Sequence, residues 1–178
     1  FATTLAARYT YASVDAGQVE DPVTFASYSI EDNWDNVSAS GRLSFTPVVD
    51  GPWLLYAGVA QAFRAPNLSD LTRLDTARSG ELETPSPGLD PETFVSWEAG
   101  MKFAGQKFSA QAAYFRTDGS DVIIRSPTGL VINGAAEVTK KNASDLQVDG
   151  IEAQLTYLVL PQLLLFADGR IIDGEADA

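Results

Sequence analysis

The stretch Trp53 to Leu71, WLLYAGVAQAFRAPNLSDL, decides the reading of this chain. From Trp53 its odd positions are Trp53, Leu55, Ala57, Val59, Gln61 and Phe63, while the even ones include Tyr56, Gly58, Ala60 and Ala62. A period of two with one mainly apolar face marks a β-strand whose two sides meet different surroundings. Aromatic residues stand near both ends of the run, and Ala65-Pro66-Asn67 then breaks it into a polar loop. A strand of this length, flanked in this way, is wide enough to cross a bilayer.

The same period recurs on either side. Leu5 to Val14 reads as a first strand, with Leu5, Ala7, Tyr9 and Tyr11 on one face. Asp15 to Asp35 carries six acidic residues and no basic one, and reads as a long solvent loop. Val37 to Phe45 sets Val37, Ala39, Gly41, Leu43 and Phe45 against Ser38, Ser40, Arg42 and Ser44, the clearest half-buried strand in the chain. Thr46 to Pro52 holds Pro47, Gly51 and Pro52 and suits a tight turn.

Pro66 to Glu92 reads as a long polar connection. Phe94 to Phe103 follows as a strand with Val95, Trp97, Ala99, Met101 and Phe103 outward and Ser96, Glu98, Gly100 and Lys102 inward. Gly105-Gln106 makes a turn. Phe108 to Ile124 rises, interrupted near Asp118-Gly119-Ser120, with Ser126-Pro127-Thr128-Gly129 as a loop tip. Gln147 to Tyr157 descends, Leu158 to Gln162 turns, and Leu163 to Ile172 starts a further rise; Lys140 to Asp145 is compatible with loop or strand. The expected fold class is therefore all-β, an antiparallel sheet of about seven strands. Short turns at one end and long loops at the other are the habit of a transmembrane β-barrel.

Composition excludes several alternatives. Hydrophobic residues make up 45% of the 178, yet no apolar run approaches the roughly 20 residues of a helical membrane span. The formal charge of -12 repels phosphate, and Lys140-Lys141 is an isolated basic pair, so nucleic acid is not expected as a partner. The chain has no Cys and no His, which removes disulfides, thiolate and imidazole metal sites and His-dependent nucleophilic dyads and triads. Asp118 and Asp121 lack the surrounding cleft expected of a catalytic pair. No catalytic, cofactor or metal residue is expected, and the chain is not expected to be an enzyme.

Four motifs in order resemble the barrel of TonB-dependent outer-membrane receptors. They are Phe63-Arg64-Ala65-Pro66-Asn67-Leu68-Ser69-Asp70-Leu71, Pro91-Glu92-Thr93 with Trp97-Glu98-Ala99-Gly100-Met101-Lys102, Ala113-Tyr114-Phe115 with Asp121-Val122-Ile123, and Asn142-Ala143 with Val148-Asp149-Gly150-Ile151-Glu152. The resemblance makes residues 1–178 a partial barrel, in which the family's N-terminal plug and closing C-terminal strand have no counterpart. Both chain ends read as cuts through a longer protein. The resemblance implies a barrel of about 22 strands in the outer membrane of a Gram-negative bacterium.

It also implies active uptake of a scarce ligand such as a ferric siderophore, a cobalamin-like compound or an oligosaccharide. The implied partners are outer-membrane lipids, the transported small ligand, and the TonB-ExbB-ExbD system acting through the absent N-terminal region. A passive outer-membrane channel and a soluble extracellular β-sandwich binding module are the alternatives.

Candidate ligand-contact residues are Arg64, Asn67 and Asp70, at the point where the motif strand reaches the outer boundary. For Arg64 the plainer role is a structural ion pair with Asp70 or another nearby carboxylate. Glu31, Asp32 and Asp35 lack a calcium-loop pattern and read as solvated. Trp34, Trp53, Trp97, Tyr56 and Tyr157 are the candidate interfacial aromatics.

Overall fold

The structure, a computed structural model, describes residues 1–76 and 80–177. Residues 77–79, inside the expected long connection, and Ala178, in the expected polar end, lie outside the described residues. The elements are β1 (Ala2–Glu20), β2 (Ser27–Phe45), β3 (Trp53–Arg64), α1 (Leu68–Thr72), β4 (Asp75–Thr76), β5 (Leu82–Glu83), β6 (Glu92–Ala104), β7 (Phe108–Ile132), β8 (Ala135–Leu160) and β9 (Leu163–Asp177). Seven of the strands are long, and the two-residue β4 and β5 lie within the connection from Pro66 to Pro91. All join one sheet in the order β1-β2-β3-β6-β7-β8-β5-β4, with β9 also on β8. Every pairing is antiparallel except β5 with β8, and the sheet is open among the described residues.

Register fixes the faces. Val59 pairs with Trp97, Ala57 with Ala99 and Gly41 with Val59, so the odd residues of β2, β3 and β6 share one side. That side continues through Tyr114, Ile151 and Ile171 on β7, β8 and β9. Along β2 it reads Phe45, Leu43, Gly41, Ala39, Val37 and then turns polar at Asp35, Asn33 and Glu31. The apolar part spans 37–45, matching the roughly 9–11 residues a tilted strand needs to cross hydrocarbon. The same change occurs between Tyr114 and Arg116, Ile151 and Asp149, and Ile171 and Asp173, and those polar residues are neighbours across the sheet.

Aromatic residues mark both boundaries. At the short-turn end the Trp53 and Phe103 rings lie 4.9 Å apart and Phe103 and Phe108 5.8 Å, while Phe108 pairs with Tyr157. At the other boundary Trp97 pairs with Arg116. Trp53, Tyr157 and Trp97 therefore stand where interfacial aromatics are expected. Tyr56 does not. It occupies the opposite face between the Arg42 guanidinium, 4.3 Å from its ring centroid, and Lys102 at 5.6 Å. Its cross-strand partner is Gly100, where a Cβ would come within 2.6 Å of the ring, so only glycine leaves the ring room to lie against the wall. Polar contacts recur along this inner face: Arg42 meets Glu98 at 3.7 Å, Ser96 bonds Thr117 at 2.9 Å, and Gln111 donates to Gln154 at 2.8 Å.

Beyond the membrane band the structure departs from the expectations. Asp15 to Asp35 is not a loop, because β1 runs on to Glu20 and β2 begins at Ser27, leaving a turn at 21–26. The Asp21 carboxylate closes it by accepting from the Val23 N–H at 2.9 Å and the Thr24 N–H at 2.7 Å. Likewise 126–129 is not a tip. The strand β7 continues through a register shift between Pro127 and Val131 to a two-residue turn at Asn133-Gly134, both with positive φ, as a type I′ hairpin requires. There is no interruption at 118–120 either; the irregular residue is Asp121, at φ 58°. Lys140 to Asp145 is strand, and the final turn narrows to Pro161-Gln162. In the outer hairpins a strand beyond the membrane needs only its hairpin partner, so the strict apolar alternation that flags membrane strands is missing.

The deepest packing also lies outside the band. Val19, Ile30, Leu71 and Leu89 form a buried cluster, with Val14, Ala16, Tyr28, Trp34 and Ile123 against it. Trp34, placed among the interfacial aromatics by sequence, instead packs on this cluster. The connection from Pro66 to Pro91, expected to be polar loop, supplies two of its four members, Leu71 at 0% and Leu89 at 5%. It therefore fills the space between two tall hairpins, β1–β2 and β7–β8.

Candidate functional site

The three candidate residues meet at one place, and the local sequence explains how. Pro66 cannot extend the β3 ladder, and Asn67 then caps α1. The Asn67 side chain accepts from the Asp70 N–H at 3.0 Å while the Asp70 carboxylate accepts from the Asn67 N–H at 3.0 Å, a reciprocal capping box. That arrangement turns Asp70 back toward the end of β3. Arg64 Nη1 donates to Asp70 Oδ2 at 2.9 Å and Arg64 Nε to Glu92 Oε2.

Residues distant in sequence complete the cluster. Lys140 on β8 reaches Asp70 Oδ1 at 2.8 Å and lies 3.6 Å from Glu83 Oε1. The other Glu83 oxygen meets Arg125 Nε at 3.2 Å and Arg73 Nε at 3.7 Å. Arg125 also reaches Glu81 at 3.4 Å. Glu92 Oε1 accepts from the Ile123 N–H at 2.8 Å, just above the last β6–β7 pair, Thr93 with Ser120. Four cations, Arg64, Arg73, Arg125 and Lys140, thus face five carboxylates, Asp70, Asp75, Glu81, Glu83 and Glu92. Asp70, Glu83 and Glu92 are buried, so their charges depend on these partners. Burial pushes the Asp70 carboxyl upward, but Lys140, the Asn67 N–H and Arg64 outweigh it and hold it below the usual carboxylate range.

Hydrogen bonds extend the seam along β8. Thr84 N–H donates to the Val138 carbonyl at 3.0 Å, the Lys140 N–H to Ser86 Oγ at 2.8 Å, and Asn142 exchanges bonds with Asp90 at 2.9 and 2.8 Å. Asn142 Nδ2 also donates to the carbonyl of Asp121, the residue with positive φ. The arrangement is a clamp that presses the connection onto the β7–β8 hairpin. The plainer reading of Arg64, an ion pair with Asp70, describes its geometry. Glu83 and Arg125 were not singled out from the sequence, and Glu92 and Lys140 entered it only within a family motif and a basic pair; Asn67-x-x-Asp70 before an apolar Leu71 was the one local signal of the cap. Among the described residues no group of His, Cys, Asp and Glu could hold a metal ion.

A sheet with a membrane-width apolar band, a polar inner face and a clamped outer rim is matched by a known family. Residues 1–170 match the model of the TonB dependent receptor-like β-barrel. The chain belongs to that family. It is accordingly a bacterial outer-membrane protein of the receptor class, located as Gram-negative outer-membrane receptors are, and not an enzyme.

Solved structures of similar fold include the siderophore receptor PirA from Pseudomonas aeruginosa, at TM-score 0.72 and 22% identity over 98% of this chain and 35% of that one. The copper transporter OprC matches at TM-score 0.74 and 21% identity over 97% of this chain and 26% of its own. The ferric enterobactin receptor PfeA matches at 0.65 and 23%, over 93% and 32%. The chain therefore spans about a third or less of the length of these receptors. None of the curated proteins matches it significantly in sequence.

Proposed function

We propose that this chain is part of a receptor that takes up a scarce ligand across the outer membrane, driven through TonB-ExbB-ExbD. The observation that carries the reading is the family match over residues 1–170, on a sheet whose outward faces carry a continuous membrane-width band. Backbone groups cannot stay unpaired in hydrocarbon, so the open edges of β1 and β9 call for further strands, consistent with a closed barrel of about 22. The polar inner face suits a lumen filled by protein or water, as a plugged barrel would provide. A soluble sandwich would instead need a second sheet over the apolar face.

The ligand class is a ferric siderophore, a cobalamin-like compound or an oligosaccharide. Arg64, Asn67 and Asp70 serve recognition by fixing the rim on which ligand lands, since their polar groups are spent on one another and on Glu92 and Lys140. The test is uptake by the complete receptor, expressed in cells lacking their own receptors, with each ligand class offered in the presence and absence of TonB. Accumulation that stops when TonB is removed is expected. Entry at an equal rate without TonB would make it a passive channel.

A further inference from the structure

The outer half of β2 is a bare sheet edge inside an otherwise paired wall. Its two sheet neighbours, β1 and β3, are both among the described strands. With β1 it is paired along nearly its whole length, from Ser27 to Ser44. With β3 it pairs only from Ser40 to Phe45, and β3 then leaves at Ala60 toward Arg64 and the clamp. The first open rung is filled by a side chain: Gln61 Oε1 accepts from the Ala39 N–H at 3.3 Å. Above it, no other backbone hydrogen bond reaches this side of residues 27–38 among the described residues.

The Gln61 contact fixes which groups are free. In a β-strand the N–H and C=O of one residue point the same way, and alternate residues point oppositely. Because the Ala39 N–H points to the open side, so do those of Val37, Asp35, Asn33, Glu31 and Ser29. All five residues are exposed. A carbonyl already sits on the first of these donors, which shows the chemistry that the others would accept. Unpaired edges of this length are templates for strand addition.

Charge selects the occupant. Between Arg8 and Arg42 there is no Lys or Arg, while Asp15, Glu20, Asp21, Glu31, Asp32 and Asp35 all lie on this hairpin. None of the six enters an ion pair among the described residues, whereas the carboxylates on the connection beside β7–β8 do. We propose that the outer edge of β2, from Ser29 to Val37, binds an extended cationic peptide from outside the cell as an added strand. The ladder would supply affinity and the flanking carboxylates the preference for Lys or Arg. The proposal requires this hairpin to face the medium and is independent of which ligand the receptor carries.

The probe is a peptide of alternating lysine and valine, offered to the complete receptor in outer-membrane vesicles. Its counterpart, N-methylated on every residue, keeps the charge and loses the ladder donors of both edges. Saturable binding of the first is expected, with the second at least about tenfold weaker. Asn33→Pro removes a donor on the open side only, leaving the β1 pairing intact, and should weaken binding to a similar extent. Glu31→Gln with Asp35→Asn should weaken binding and flatten its salt dependence. Equal binding of the two peptides would overturn the proposal by leaving charge alone as the cause. So would unchanged binding to an inserted Asn33→Pro receptor, or no saturable binding of the unmodified peptide. Should Asn33→Pro fail to insert, the peptide pair still decides.

Discussion

The hairpins β1–β2 and β7–β8 are built alike and dressed differently. Each crosses the membrane with an apolar outward stripe and then continues as a polar strand pair well above it. Over β7–β8 the Pro66–Pro91 connection lays down β5, five carboxylates meet four cations, and Asn142, Ser86 and Glu92 take up backbone groups that would otherwise be exposed. Over β1–β2 the same connection offers, among the described residues, the apolar side chains of Leu71 and Leu89, and one edge stays bare. Ionic and hydrogen-bonded cover makes a fixed wall. Apolar contact to one face secures the other hairpin but leaves its edge open to a partner.

The largest effect should come from removing the cation that β8 contributes. Lys140→Ala leaves buried Asp70 and Glu83 short of a partner and should cost about 3 to 5 kcal/mol locally. Hydrogen exchange should report faster opening of the outer β7–β8 strands, with β1–β2 less affected; equal loss in both would break the comparison. Leu71→Ala should cost about 2 to 5 kcal/mol through the cavity it opens, and here the outer β1–β2 strands should loosen at least as much as β7–β8.

Below the boundary the two hairpins share one environment, so the contrast should vanish there. Val59→Arg or Ala99→Arg should impair assembly by roughly 2 to 4 kcal/mol near mid-membrane, whereas Ser96→Arg or Gln154→Arg on the inner face should be tolerated. An outer-membrane assembly assay in which both classes behave alike would contradict the assigned faces. Gln61→Leu is the smallest change, about 0.5 to 1.5 kcal/mol, and should raise exchange at Ala39 alone.

Acid offers a reversible version of the first experiment. The Asp70 carboxyl titrates lower in the folded clamp than in an unfolded chain, so the unfolded chain takes up its proton first as pH falls. Its contribution is complete above the ordinary aspartate value and fades as pH drops through the folded one. Protection of the outer β7–β8 amides, taken relative to their intrinsic exchange at each pH, should therefore fall below the ordinary aspartate range and stay level from there to neutrality. A loss of protection that begins near neutral pH would assign the loosening to some other group.

What the sequence revealed follows the same division. Val37–Phe45, Trp53–Phe63 and Phe94–Phe103 were legible because hydrocarbon imposes strict alternation on one face, and the turns at 46–52 and 105–106 because Pro and Gly punctuate them. The outer strands were hidden, since Asp15–Glu20 and Ser27–Asp35 carry acidic residues on positions that face only water. The candidate site was half visible. Arg64, Asn67 and Asp70 lie within seven residues of one another in a motif, whereas Lys140 sits on the opposite side of a long chain path, and nothing local marks it as their partner. Leu71 and Leu89 were obscured for a related reason, as isolated apolar residues amid Ser, Asp, Pro and Thr show no period at all.

The alternation that builds the membrane wall also has a consequence for biogenesis. The strands that end in the outer membrane break their apolar residues with Ser, Arg, Glu, Gln or Gly, and the uninterrupted runs, such as Leu163–Ala167, are far shorter than a helical span. No segment of the newly made chain then holds the contiguous greasy length at which a secretion channel opens sideways into the inner bilayer. The polypeptide passes through that first membrane because its lipid-compatible surface does not exist until neighbouring strands pair and bring every second residue to one side.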